Sequence, residues 1–234
     1  MLLFLPGLIC DARIYAPQSA AFADSLAVQG YGLADSLPEM ARIALAAADA
    51  AGADQLDVFG HSMGGRVALE LFRLAPDRVR RLALVSTGMH GVGANEPANR
   101  AALQGVGHEQ GFEALVDHWL PPMVAEANRA VPEIYEPMRE MCLSEGQAMF
   151  DAQIKALLAR PEVASLLPQI TCPTLVMTGE MDAWAPPSQH QTMADLLPDA
   201  QLVIVPGAGH MIQLEAPQAV NAAIADWLAR PTTA

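Results

Sequence analysis

Five short apolar runs, each closed by a glycine, do most to limit what this chain can become. LLFLPG (2–7), QLDVFG (55–60), RLALVSTG (81–88), PTLVMTG (173–179) and AQLVIVPG (200–207) are nearly continuous in apolar character. A strand with one face in water alternates apolar and polar residues, whereas a strand covered on both faces does not. The runs therefore read as parallel strands lying between two layers. The segments between them carry helical spacing. Residues 37–51 are rich in alanine, 66–74 place Val67, Leu71 and Leu74 on one face, and 188–197 and 218–229 follow. The last has Val220, Ile224, Trp227 and Leu228 as its apolar stripe. Strands alternating with helices predict an α/β fold, a mostly parallel central sheet with helices on both faces. Right-handed crossovers then bring every strand's C-terminal end to one edge, where ligand sites collect in open sheets.

Residues 89–165 break this rhythm. They contain GVGANEP, a Pro-Pro pair at 121–122 and helix-like pieces carrying Trp119, Met123, Met138, Met141, Met149 and Phe150, but no strand-like run. This predicts a helical excursion within one domain spanning 1–234, a length ample for a single sizeable core. With Asp and Glu outnumbering Lys and Arg 26 to 13, the net charge is −13. Nucleic-acid backbones and anionic membranes are disfavoured as partners, because both would be repelled. Three cysteines (Cys10, Cys142, Cys172) show neither CxxC nor metal-ligand spacing, and fit reduced thiols in a cytoplasmic protein. The opening MLLFLPGLIC has no basic segment before its apolar run, which Pro6-Gly7 interrupts, so it reads as a buried strand and not a signal peptide. No run approaches the roughly 18 apolar residues of a membrane span.

The stretch DVFGHSMGGRVALELF (57–72) is the most informative locally. An apolar run meets Gly60-His61-Ser62-Met63-Gly64, and a helical pattern follows at once. A serine on a strand-to-helix corner takes a strained backbone conformation, so the residues two either side must be small. The corner exposes the Ser62 hydroxyl above the sheet edge and sets the Met63 amide, at a helix N-terminus, where an oxyanion would form.

A serine hydroxyl is a poor nucleophile until a base takes its proton. Of six histidines, His61 falls in the corner itself and should point away, His90, His108 and His118 lie in the excursion, and His190 falls in a helix-like segment. His210 follows a strand-like run and the loop PGAGH, at the edge that should carry Ser62. Asp182, just beyond PTLVMTGEM, reaches the same edge and can hold the base's tautomer, with Glu180 as the nearby rival. No His/Asp/Glu cluster has metal-ligand spacing, and no cofactor is implied.

These pieces together resemble the α/β-hydrolase fold superfamily over nearly the whole chain. LPG (5–7) resembles its oxyanion-loop turn, GHSMGG (60–65) its nucleophile elbow, TGEMDAWAP (178–186) its acid loop and PGAGHMIQLEAP (206–217) its histidine loop. Each piece alone is weak; the combination is specific. The resemblance implies Ser62 as nucleophile, His210 as general base and then acid, and Asp182 as the orienting carboxylate. The Met63 and Leu8 amides would form the oxyanion hole, with Ile9 the alternative second donor. Many members carry His-Gly where this chain has Pro6-Gly7, and most begin with an extra β-hairpin, so the match is to a short, trimmed member. The excursion at 89–165 would be a small helical cap after the family's sixth strand.

The activity implied is hydrolysis of a small or medium carboxylic ester. The same triad serves carbon–carbon bond hydrolases, enol-lactonases and perhydrolases, and some proteins of this fold are small-molecule receptors with little turnover. Trp184, Trp119 and Met123 are candidates to line the pocket. The chain's acidity disfavours strongly anionic substrates unless an arginine, such as Arg129 or Arg139, enters it.

Overall fold

A computed structural model describes residues 1–232. The chain runs β1 (Leu2–Leu5), α1 (Ala16–Ala21), β2 (Ser25–Ala27), α2 (Leu37–Ala50), β3 (Leu56–His61), α3 (Met63–Leu74) and β4 (Val79–Val85). The helices α4 (Glu96–Gln110), α5 (Phe112–Trp119), α6 (Glu126–Arg129) and α7 (Pro132–Leu158) follow. The sheet then resumes with β5 (Thr174–Gly179), α8 (Pro187–Leu196), β6 (Ala200–Val205), α9 (Ile212–Glu215) and α10 (Pro217–Leu228). The strands form one sheet in the order β2-β1-β3-β4-β5-β6, with every neighbouring pair parallel.

All five expected runs are strands, and β1, β3 and β5 are buried along their whole length, as their unalternating sequences require. The sixth strand, β2, was not expected. It is three half-buried residues, Ser-Leu-Ala, on the sheet edge, too short and too polar to form an apolar run. Right-handed crossovers put α1, leading outward to β2, and α2, leading back past β1 to β3, on opposite faces. Helix α1 packs with α10, and α2 packs with α3. Val67 and Leu71 face the core as expected, but Leu74, the last residue of α3, is 44% exposed. Val220, Ile224 and Trp227 are fully buried.

Between β4 and β5 the chain is helical, and α7 is two helices joined at Gly146, whose φ of 80° breaks the helical path. Buried residues from this segment, such as Leu115, Met138, Phe150 and Ile154, join the same apolar cluster as Leu3, Val58 and Leu84 of the sheet. Among the described residues no helix is long and apolar enough to cross a membrane.

Candidate active site

The strand order reverses around β1: the chain leaves it outward to β2 and returns on its other side as β3. The loops after β1 and β3 therefore diverge and leave a crevice at their C-terminal ends. Ser62, directly after β3, sits there with φ 55° and ψ −117°. Such a conformation costs about 1–3 kcal/mol in a non-glycine residue, and the surroundings must hold it. They do so through the Ser62 amide donating to the Val85 carbonyl (2.8 Å) and the Thr87 hydroxyl donating to the Ser62 carbonyl (2.7 Å). The corner also needs its small neighbours. A β-carbon on Gly60 would collide with the Gly64 carbonyl, and one on Gly64 with the Leu5 carbonyl.

The structure brings Ser62, His210 and Asp182 together, although they are separated by up to 148 positions. Ser62 Oγ lies 2.9 Å from His210 Nε2, and His210 Nδ1 lies 2.8 Å from Asp182 Oδ2. The other Asp182 oxygen accepts the amides of Trp184 (2.9 Å) and Ala185 (2.8 Å). Burial opposes ionisation of Asp182, but His210 and the two amides outweigh it and hold the carboxyl well below its usual range. An ionised Asp182 fixes the proton on Nδ1, which leaves the Nε2 lone pair free to accept from the Ser62 hydroxyl. Glu180 does not compete, since its carboxylate accepts the Gly207 amide.

His61 turns away from the Ser62 hydroxyl, as expected, but it has work of its own. Its Nε2 is 2.9 Å from the carbonyl of His210, and the two rings are 5.1 Å apart. Burial and the neighbouring His210 push its pKa down to about 3, so it is neutral and donates to that carbonyl. His190 is buried too, and its Nε2 accepts the Thr87 amide.

The loop after β1 is pinned from three sides. The Tyr15 hydroxyl donates to the Leu5 carbonyl (2.7 Å), Tyr31 donates to that of Pro6 (3.3 Å), and the Ile9 amide donates to Gln153 Oε1 (2.7 Å). Ile9 is thereby committed to Gln153, whereas the Leu8 amide has no acceptor among the described residues. Met63, the first residue of α3, likewise has no acceptor within the helix.

Above these groups lies a cavity of about 650 Å³, lined by Leu8, Ser62, Met63 and His210. Trp119, Met123 and Trp184 are among the residues that line it, Trp119 and Met123 buried and Trp184 51% exposed. Arg139 does not enter, being paired with Glu113 and Asp117, and Arg129 donates to the Val124 carbonyl. The cavity's arginines are instead Arg66, Arg100 and Arg160, beside Glu96. Of these, Arg66 was within reach of sequence reasoning. It stands four residues after Ser62, near the start of the helix that the elbow opens, and so close to the same corner. A second group missed is Glu215, whose carboxylate accepts the amides of Ala125 (2.8 Å), Gly209 (3.0 Å) and Met211 (3.0 Å) and the Asn128 side chain (2.8 Å).

The fold and this site define an α/β-hydrolase, and the chain belongs to the alpha/beta hydrolase family, whose model matches residues 2–223. It is 30% identical over 221 residues to the dihydrolipoyllysine-residue acetyltransferase component of the acetoin cleaving system of Pseudomonas putida, covering 92% of this chain and 56% of that one. It is 27% identical over 182 residues to a 2-hydroxy-6-oxononadienedioate/2-hydroxy-6-oxononatrienedioate hydrolase of Cupriavidus pinatubonensis, covering 75% of this chain and 62% of that one. The chain thus spans less than two thirds of either relative's length. A malate-bound thermophilic esterase from Thermogutta terrifontis superposes with a TM-score of 0.89 at 28% identity, covering 97% of this chain and 88% of that one.

Proposed function

We propose that the protein hydrolyses a small or medium carboxylic ester through a covalent acyl-enzyme on Ser62. The observation that carries this reading is the relay from Ser62 Oγ through His210 to Asp182, with separations of 2.9 and 2.8 Å, opening on the cavity. Ser62 Oγ bonds to the ester carbonyl carbon while its proton passes to His210 Nε2. Charge develops on the carbonyl oxygen, where the Leu8 and Met63 amides donate to it. The C–O bond then breaks, and His210 returns the proton to the departing alcohol. Water repeats the sequence: it gives a proton to His210, its oxygen bonds to the acyl carbon, and Ser62 leaves with that proton as the acid departs. Helices α4–α7 act as the cap that closes the cavity over the acyl group. The ester reading also draws on the likeness to the T. terrifontis esterase.

Intact-mass labelling with a fluorophosphonate, alongside a series of aryl esters of rising acyl length, tests this. One adduct on the wild type and none on Ser62→Ala is expected, with turnover falling by about six orders of magnitude in the variant. A well-folded wild type that takes no label would overturn the reading.

A further inference from the structure

The cavity carries a charge opposite to that of the molecule around it. Three guanidiniums (Arg66, Arg100, Arg160) and one carboxylate (Glu96) line it, in a chain whose net charge is −13. Glu96 is fully engaged: its Oε1 accepts from Arg100 Nε and Arg160 Nη1, both at 2.8 Å, and its Oε2 from Arg160 Nη2 at 2.6 Å. Arg66 forms no such ion pair among the described residues. It is 5% exposed, and its Nη2 donates to the His90 carbonyl at 2.5 Å, while its Nη1 is buried with no acceptor. Glu70, one turn further along α3, pairs with Arg73 at 3.6 Å and does not reach Arg66. Burial and the nearby Arg160 lower the Arg66 pKa to about 9, with Glu96 and Glu70 opposing them from beyond ion-pair distance, which still leaves it charged at neutral pH.

A buried guanidinium whose neighbouring carboxylates form no direct ion pair with it is costly to hold in a fold, and a planar carboxylate is the group that fits its fork of donors. Arg66 stands near the start of α3 and lines the same cavity as Ser62. We infer that Arg66 is the anchor for a free carboxylate on the substrate, so that the preferred esters are half-esters of short dicarboxylic acids. This deepens the ester reading and rests on it. Arg100 and Arg160, neutralised only in part by Glu96, add to the positive potential that draws such an anion past the acidic surface.

The test compares mono-p-nitrophenyl glutarate with p-nitrophenyl pentanoate, an ester of similar length without the charge. The wild type should favour the half-ester by at least tenfold in kcat/KM. In Arg66→Gln that ratio should fall at least tenfold, and Arg66→Lys should restore part of it. Calorimetric titration of monomethyl glutarate into Ser62→Ala, with and without Arg66→Gln, reads the same subsite without turnover. Binding at least tenfold weaker in the double variant is expected. This arm separates failure of the subsite from failure of the ester chemistry. Equal use of the two esters by the wild type would overturn the assignment even if Arg66→Gln does not fold. So would monomethyl glutarate binding that is indifferent to Arg66.

Discussion

At the scale of single residues, acid should act on the site through His61 as well as through the triad. The folded chain holds His61 neutral down to about pH 3, whereas the unfolded chain protonates it below about 6.5. The unfolded state therefore binds the extra proton in that window, and stability falls as pH drops from 6.5 towards 3, by up to about 1.4 kcal/mol per unit. Asp182, depressed in the fold, contributes stability that is present above its unfolded value and lost on further acidification, so its effect begins near pH 4. His61→Gln keeps a donor for the His210 carbonyl and removes the titration. Urea unfolding at several pH values between 6 and 4 should show a shallower loss of stability in the variant, and equal slopes would exclude His61 as the source. Residues whose placement is set by their own loop could be read from sequence: Ser62 by its glycines, Asp182 and His210 by the strands they follow. Arg66 and His61 were visible as residues, but their roles depend on approaches to His90 and His210, the second 149 positions away.

At the scale of elements, the histidine loop is held by a carboxylate and not by regular structure. Glu215 gathers three backbone amides and one side chain, binding the loop that carries His210 to the segment that begins α6. The His210 amide adds a further tie to the Met123 carbonyl at 2.8 Å. Glu215→Ala strands these amides and should destabilise the protein by about 2 kcal/mol or more. It should also lower kcat more than it changes KM, because it loosens His210 and leaves most of the cavity wall intact. Glu215→Gln, which still offers one acceptor oxygen, should recover part of both. An alanine variant that melts and turns over like the wild type would show the loop to be held some other way. No local pattern marked this role, because the Ala125 amide and the Glu215 carboxylate meet across 90 positions. Strand β2 escaped for the opposite reason: it has local structure but only three residues and one neighbouring strand to define it.

At the scale of the molecule, the helical segment between β4 and β5 shares one apolar core with the sheet and is also tied to it by polar groups. Gln153 of α7 takes the Ile9 amide, Arg13 reaches Ser144, and Lys155 pairs with Asp35. Nothing in this arrangement gives the segment a core of its own, so it should unfold with the sheet. Two tryptophans report on the two parts. Trp119 lies at the end of α5, and Trp227 of α10 donates its indole N–H to the Pro173 carbonyl beside β5. Trp119 can be isolated with Trp184→Phe and Trp227→Phe, and Trp227 with Trp119→Phe and Trp184→Phe. In each variant the fluorescence midpoint in urea should coincide with the midpoint from far-ultraviolet circular dichroism, the mark of one cooperative unit. An earlier midpoint for Trp119 alone would show that α4–α7 open before the sheet melts. The lid of the cavity would then be a separable element, carrying Arg100 and Arg160 on a surface that can part from Arg66 and the edge that holds Ser62.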